Sequence, residues 1–271
     1  MYDKIFPPKR IELENGKVVL EKRSRVPFIL LIVFIAVYYS AQATGFSFEV
    51  IIKRINQFFI IIGEMLKPNW GYIDGILPEL MTTLKMSLFG SVAGALIALP
   101  VALLASSNII KNKLIVSFCK TVLSLLRTMP TLVTALIATY VFDLPAMAGT
   151  VAIFLFTISY VGKLTYEAIE NVDMGPFEAM ESIGMTRVQA FRYAIIPQIL
   201  PGYLSTSLFS FEGNVRYAAI LGYVGAGGIG KLINETIGWR DYSSLGMIFV
   251  MLVITVYLIE TVSEHFRKKL I

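Results

Sequence analysis

Apolar runs of about 20 residues recur along this chain, and no other feature constrains its fold as much. Wound as a helix rising 1.5 Å per residue, such a run matches the ~30 Å hydrocarbon core of a bilayer. Five runs are clear, at 26–44, 84–105, 145–165, 200–224 and 245–262. A sixth, 114–142, is composite: about 43 Å as one helix, too long for an upright span. Pro130 divides it into an interfacial or tilted half and an outer half. Composition agrees, since 56% of the 271 residues are hydrophobic and 16% charged, against about 45–50% and 25% in soluble domains. The predicted fold is therefore an all-α polytopic membrane protein with six transmembrane helices. Run 26–44 follows Lys22-Arg23-Ser24-Arg25 and contains Ala41-Gln42-Ala43, which mimics a signal cleavage site. Its 25-residue leader is too long for a signal n-region, so it reads as an uncleaved anchor.

Charge placement sets the orientation. With the N-terminus in the cytoplasm and six alternating spans, sixteen of the 24 lysines and arginines fall on cytoplasmic segments, seven of them within residues 1–25. Five lie outside: Lys53, Arg54, Lys67, Lys231 and Arg240. Lys85, Arg127 and Arg216 lie in or near spans. The asymmetry follows the positive-inside rule and puts both termini in the cytoplasm. It also accounts for the net charge of +5 without a nucleic-acid partner. The single cysteine, Cys119, rules out an intramolecular disulfide. With His265 the one histidine, no His/Cys metal cluster or His-based triad is expected.

Two segments flank the first span. Residues 11–20 alternate around Asn15-Gly16, a type I′ hairpin signal. Residues 48–66 form an apolar-rich helix carrying Lys53, Arg54 and Glu64, expected to lie along the outer membrane surface. Gly225-Ala226-Gly227-Gly228-Ile229-Gly230-Lys231 matches G-x-G-x-x-G and nearly a P-loop, but Leu232 stands where a hydroxyl would ligate magnesium, and a membrane span precedes it instead of a strand. A tight turn permitting close helix approach is the plainer reading; backbone amides meeting an anion at the outer mouth is another. Gly90 and Gly94 form a G-x-x-x-G helix-contact element. Asp143 reads as a capping residue at the turn before Pro145.

Segment 173–197 is the most informative. Pro176 suits a first helical turn, Glu178 and Glu181 its positive end, and Gly184 a left-handed stop. Thr186 and Gln189 form a capping box that opens a second helix, which Pro197 is expected to end. Two short amphipathic helices in a cytoplasmic loop could be a membrane-surface connector or a rigid knob for a soluble partner. A helix-turn-helix DNA reader is disfavoured by the short, mixed-charge, doubly tethered segment. In span five, Thr206, Ser210, Gly213 and Tyr217 form one small or polar stripe. Ser205, Glu212 and Arg216 form a second, about 110° away. Leu204, Leu208, Phe211 and Val215 form the opposite apolar face. Glu212 and Arg216 are spaced i,i+4, acid first, so they could pair structurally or line a cavity for an anion. Arg127 could line the inner vestibule or snorkel to lipid phosphates, and Lys85 is expected to snorkel near the outer end of span two.

Glu178-Ala179, Gly184 and, thirteen residues on, Pro197 resemble the "EAA" loop of binding-protein-dependent ABC transporter permeases, E-A-A, three residues, G, nine residues, I-x-L-P. Met180, Ala194 and Ile196 replace its second alanine, isoleucine and leucine. Arg127-Thr128-Met129-Pro130, Gly162-Lys163-Leu164, Glu167-Ala168-Ile169-Glu170, Phe211-Glu212-Gly213-Asn214-Val215-Arg216 and 224–230 resemble the phosphonate branch, and the likeness covers about 78–267. It implies an importer of phosphonate or a related phosphorus oxyanion. Two permeases, identical or sisters, would form the path; two cytosolic ABC ATPase subunits would hold ATP and magnesium; and an extracytoplasmic substrate-binding protein would deliver the ligand. In that frame Glu178, Ala179, Gly184 and Arg187 dock the ATPase. Arg216, Glu212, Ser210, Thr206 and Arg127 are candidates for the path. The organisation becomes a cytoplasmic segment with a hairpin (1–25), an anchor (26–44), an external amphipathic segment (45–77) and a permease domain (78–271) in the cell (inner) membrane. Cargo of another kind, such as methionine or a quaternary amine, and a self-contained secondary transporter are the alternatives.

Overall fold

The computed structural model describes residues 9–12, 18–21 and 26–270, in two compact units, Met1–Ile60 and Ile61–Ile271. In the first unit, strands β1 (Lys9–Glu12) and β2 (Val18–Glu21) pair antiparallel. Glu12 faces Val18, one residue off the Glu12–Val19 pairing that a two-residue Asn15-Gly16 turn would set; the turn itself lies outside the described residues. Helix α1 (Val26–Ala43) is apolar on every side. In helix α2 (Phe48–Met65), Phe48, Ile51, Ile52, Ile55, Phe59 and Ile62 fall on one stripe, the 3.6-residue period of an amphipathic helix.

The second unit is a helical bundle. Its elements are α3 (Ile73–Ala105), α4 (Lys113–Thr128), α5 (Thr131–Phe142), α6 (Pro145–Glu170), α7 (Gly175–Ser182), α8 (Arg187–Ala190), α9 (Ile196–Leu221), α10 (Ile229–Trp239) and α11 (Tyr242–Leu270). The most extensive packing joins α3 to α6. Gly90, Ser91, Gly94, Ala95 and Ala98 of α3 are buried, while Leu88, Phe89, Val92 and Leu96 are exposed. Small residues inside and bulky apolar ones outside is the arrangement expected where lipid, not water, surrounds the bundle.

Local chemistry explains the helix ends. Asn112 Oδ1 accepts from the Leu114 and Ile115 amides at 3.0 and 3.4 Å and starts α4. Asp143 ends α5 in the left-handed region (φ 51°), its N–H on the Thr139 carbonyl, so it caps through its backbone. Pro145 opens α6. Asp241 Oδ1 accepts from the Ser244 amide at 3.0 Å and opens α11.

Three boundaries differ from expectation. Helix α3 begins at Ile73, eleven residues before the predicted start, so Lys85 lies twelve residues inside this helix. Pro130 does more than tilt the composite run: α4 and α5 meet at 92°. Pro197 does not stop the second short helix, because the chain stays helical from Arg187 to Leu221. Proline has no N–H for the i−4 carbonyl. The backbone passes it through a π-helical turn (Phe191–Ile195), with the Ile196 N–H bonded to the Phe191 carbonyl. By length and composition four helices among the described residues can cross a membrane, or five if the bent α4–α5 pair is one span. Helix α9 has 26 residues, long enough to cross, but Glu212, Asn214 and Arg216 lower its hydropathy.

The α3–α6 seam yields a prediction. A Cβ on Gly94 would fall 2.7 Å from Thr157 Cβ and 2.9 Å from the Phe154 carbonyl oxygen. Gly94→Ala should cost about 1–3 kcal/mol by overpacking, seen as a lower melting midpoint of the detergent-solubilised protein. An unchanged midpoint would mean the seam is loose.

Candidate functional site

Two places hold the predicted residues. The first is the α7–α8 element. Asp173 Oδ1 accepts from the Gly175 amide at 2.9 Å, and Pro176 lies in the first turn of α7. Gly184 takes φ +92° with open space where a Cβ would be, a conformation that costs an L-residue energy and glycine little. Thr186 and Gln189 complete the predicted capping box. The inner face is anchored: Phe177, Ala190, Ala194 and Ile195 are buried with Ala102 of α3, Ile169 of α6 and Ile199 of α9. The outer face is free. Glu178, Ala179 and Gly184 are exposed, and Glu178 has no ion pair among the described residues. Arg187 bonds Glu181 at 3.0 Å through Nε, which ties α8 to α7. Ile183 and Val188 project with 75% and 79% exposure. The sequence reading missed these two; two aliphatics flanking a polar turn were the available signal.

The second place is on α9. A cavity of about 380 Å³ is lined by Phe156 and Tyr160 of α6 and by Phe209, Ser210, Gly213, Arg216, Tyr217 and Ile220 of α9. Phe156 stacks on Tyr160 with centroids 5.8 Å apart. Ser210 Oγ is buried with no hydrogen-bond partner among the described residues. Arg216 lines this space, and its side chain is 49% exposed. Glu212 stands behind it, 4% exposed, accepting from Arg216 at 3.1 Å and from Arg267 of α11 at 3.3 Å. Of the five path candidates, Ser210, Glu212 and Arg216 come together here. Thr206 is half-buried a turn earlier and outside the lining, and Arg127 is exposed in the last turn of α4, before the bend. Arg267 was counted only as cytoplasmic charge, and its partnership spans 55 residues of sequence.

Asn214 is a further omission. Its Nδ2 donates to Ser91 Oγ of α3 and Thr157 Oγ1 of α6, each at 2.8 Å, and its main-chain carbonyl accepts from Ser87 Oγ of α3 at 3.4 Å. One amide thus joins three helices. An amide within a predicted span was the signal.

The glycine-rich loop serves packing. Gly225, Gly227 and Gly228 have positive φ, and a Cβ on Gly230 would sit 2.1 Å from the Ala219 carbonyl oxygen. The amides of Gly225, Ala226 and Lys231 bond backbone carbonyls, and that of Ile229 bonds Thr83 Oγ1 at 2.8 Å. Those four are not free to cradle an anion. No group of three or more metal-ligating side chains occurs among the described residues.

A helical bundle of small-residue seams, with a helical knob packed on the ends of three long helices and a cationic cavity further along one of them, has the build expected of a transport permease. The chain belongs to the binding-protein-dependent transport system inner membrane component family, whose model matches residues 98–270. It is 32% identical over 209 residues to a phosphite transport system permease protein of Stutzerimonas stutzeri, covering 77% of this chain and 76% of that one. It is 30% identical over 215 residues to a phosphate-import permease protein of Mycolicibacterium smegmatis, covering 78% of this chain and 40% of that longer one. The fold resembles that of the inward-facing MetNI methionine ABC transporter, with a TM-score of 0.67 and 23% identity over 75% of this chain and 99% of that one.

Asn214→Ala should destabilise the solubilised protein by about 1–3 kcal/mol, because Ser91 and Thr157 lose a buried donor and α9 loses its link to α3 and α6. A loss under about 0.5 kcal/mol in chemical or thermal unfolding would show that the hub is dispensable.

Proposed function

We propose that this chain is the path-forming permease of an ATP-driven importer for a phosphorus oxyanion such as phosphonate, phosphite or phosphate. It crosses the inner membrane six times with both termini cytoplasmic. Residues 1–25 lie in the cytoplasm, 26–44 form an anchor, 45–77 carry α2 along the outer surface and run into the start of α3 at Ile73, and 78–271 form the permease domain. A second copy or a sister permease completes the path. Two ATPase subunits bind ATP and magnesium, and an external binding protein delivers the ligand.

The observation that carries this reading is the α7–α8 knob. It offers Glu178, Ala179, Gly184 and the bare aliphatics Ile183 and Val188 on one side, and buries Phe177 and Ile195 among the ends of α3, α6 and α9 on the other. Exposed aliphatics on a braced element suit insertion into a partner's groove. A push there reaches three long helices through packed side chains, which transmit displacement because the interior is dense. The cargo reading draws on the relatives' names and on the cavity chemistry. A half-exposed guanidinium and a hydroxyl among aromatic walls attract an oxyanion, and the carboxylate behind tempers the attraction so that the ion can leave.

Reconstituted with its ATPase subunits and binding protein, Glu178→Lys should insert and assemble, hydrolyse ATP, and lose at least about tenfold in phosphite uptake per ATP, since a repulsive contact of ~1.4 kcal/mol suffices for that. Uptake equal to that of the wild type would refute the docking role. Uptake of phosphite by the permease alone, driven by an ion gradient, would refute the importer class.

A further inference from the structure

We propose that Arg267 is the resident counter-charge of Glu212, and that this leaves Arg216 free to hold the transported anion. The inference rests on the oxyanion-permease reading above. It begins with charge balance. One buried carboxylate faces two guanidinium groups, so the cluster carries a net +1 beside the cavity. A carboxylate 4% exposed requires a cation close by. The two available cations are not equivalent. Arg216 reaches Glu212 along its own helix, is 49% exposed and lines the cavity. Such a half-exposed i,i+4 pair is weak and exchanges readily with another anion. Arg267 is 25% exposed, lies 5.7 Å over the Phe209 ring, and has its Nε buried without an acceptor among the described residues. It is the more desolvated cation, so its attraction to Glu212 is less screened. The neighbouring acid, Glu264, has its own partner in Lys268 at 2.7 Å.

The consequence is a division of labour. When a phosphorus oxyanion enters the cavity, Arg216 can swing toward it without stranding Glu212, because Arg267 stays. When the anion leaves, Arg216 returns to Glu212 and its guanidinium is satisfied again. Arg267 is thus a positioning residue: it touches no substrate but sets how much of the Arg216 charge the cavity offers. It also ties α11 to α9 at the level of the cavity.

A substitution cycle in the complete transporter tests this, reading melting midpoint and, in proteoliposomes, phosphite uptake. Arg267→Gln should lower the midpoint by several degrees and cut uptake about tenfold, because Glu212 then claims Arg216. Glu212→Gln with Arg267→Gln should recover most of the midpoint, since the buried charge and its partner leave together, and should lower the apparent KM for phosphite below that of the wild type, because Arg216 no longer has an alternative acceptor. Arg216→Gln should leave the midpoint nearly unchanged and abolish uptake. The proposal is overturned if Arg216→Gln costs as much stability as Arg267→Gln, or if the double variant fails to recover the midpoint or to lower that KM. A wild-type complex that carries neither phosphite nor phosphate removes the cargo reading instead, and the midpoints alone then decide which arginine holds Glu212.

Discussion

The close approach of α3 to α6 sets the geometry of everything else in the bundle. In lipid, apolar burial contributes little between helices, so van der Waals contact and a few hydrogen bonds must suffice. Gly90 and Gly94 let the two backbones meet: any Cβ there would collide with Ile153, Thr157 or the carbonyl oxygens of Thr150 and Phe154. Asn214 then fastens α9 across the same seam through Ser91 and Thr157. Because that amide lies two residues from both Glu212 and Arg216, the seam also fixes where α9 presents its charges.

Those charges would be expensive were α9 to cross the membrane as proposed, and their arrangement limits the expense. Glu212 is buried but doubly paired; Arg216 reaches the cavity instead of hydrocarbon. The aromatic wall of Phe156, Tyr160, Phe209 and Tyr217 narrows the space around one cationic group. A site for passage differs from a site for storage in this respect. A cluster of bare arginines would hold a dianion too firmly, whereas one guanidinium that always has an alternative acceptor keeps binding shallow. The proposed importer needs no more, because its external partner would do the selecting.

What could be read from sequence followed the range of the forces involved. The α7–α8 element was legible almost residue by residue, because Pro176, Gly184 and the Thr186–Gln189 box act through neighbours three or four positions away. The break at Pro130 and the turn at Asp143 were legible for the same reason, whereas the 92° angle at that break was not. Pro197 misled: its missing N–H does break the α-helical ladder, but a single π turn absorbs the break, and nothing local distinguishes that outcome from a stop. The start of α3 was placed late because Asp74, Pro78 and Glu79 look like loop, yet they occupy exposed positions or the helix's first turns. Thr206 and Arg127 fitted a stripe and a span end but not the cavity. Arg267, Asn214 and the aliphatic tip at Ile183 and Val188 depend on partners 55 to 123 residues away or on exposure, and no periodicity encodes those.

The continuity that Pro197 failed to interrupt has a mechanical meaning. Helix α8, the π turn and α9 form one uninterrupted helical rod from Arg187 to Leu221. From Phe191 to Ser210 it is about 28 Å long. A break at Pro197 would have let the knob pivot independently of the span, and motion imposed on Val188 would have dissipated in the loop. With Ala190, Ala194 and Ile195 packed on Ala102 and Ile169, displacement of the knob must turn α9 about the Asn214 hub, break that cluster, or bend the rod at the π turn or at Pro201. Turning α9 moves Ser210, Gly213, Arg216 and Tyr217 together against Phe156 and Tyr160, because all four project from the same rigid segment. Movement of the α7–α8 tip would therefore change the cavity as a unit, and the places where the rod could give way between them are the π turn and Pro201, each of which interrupts the i→i−4 ladder.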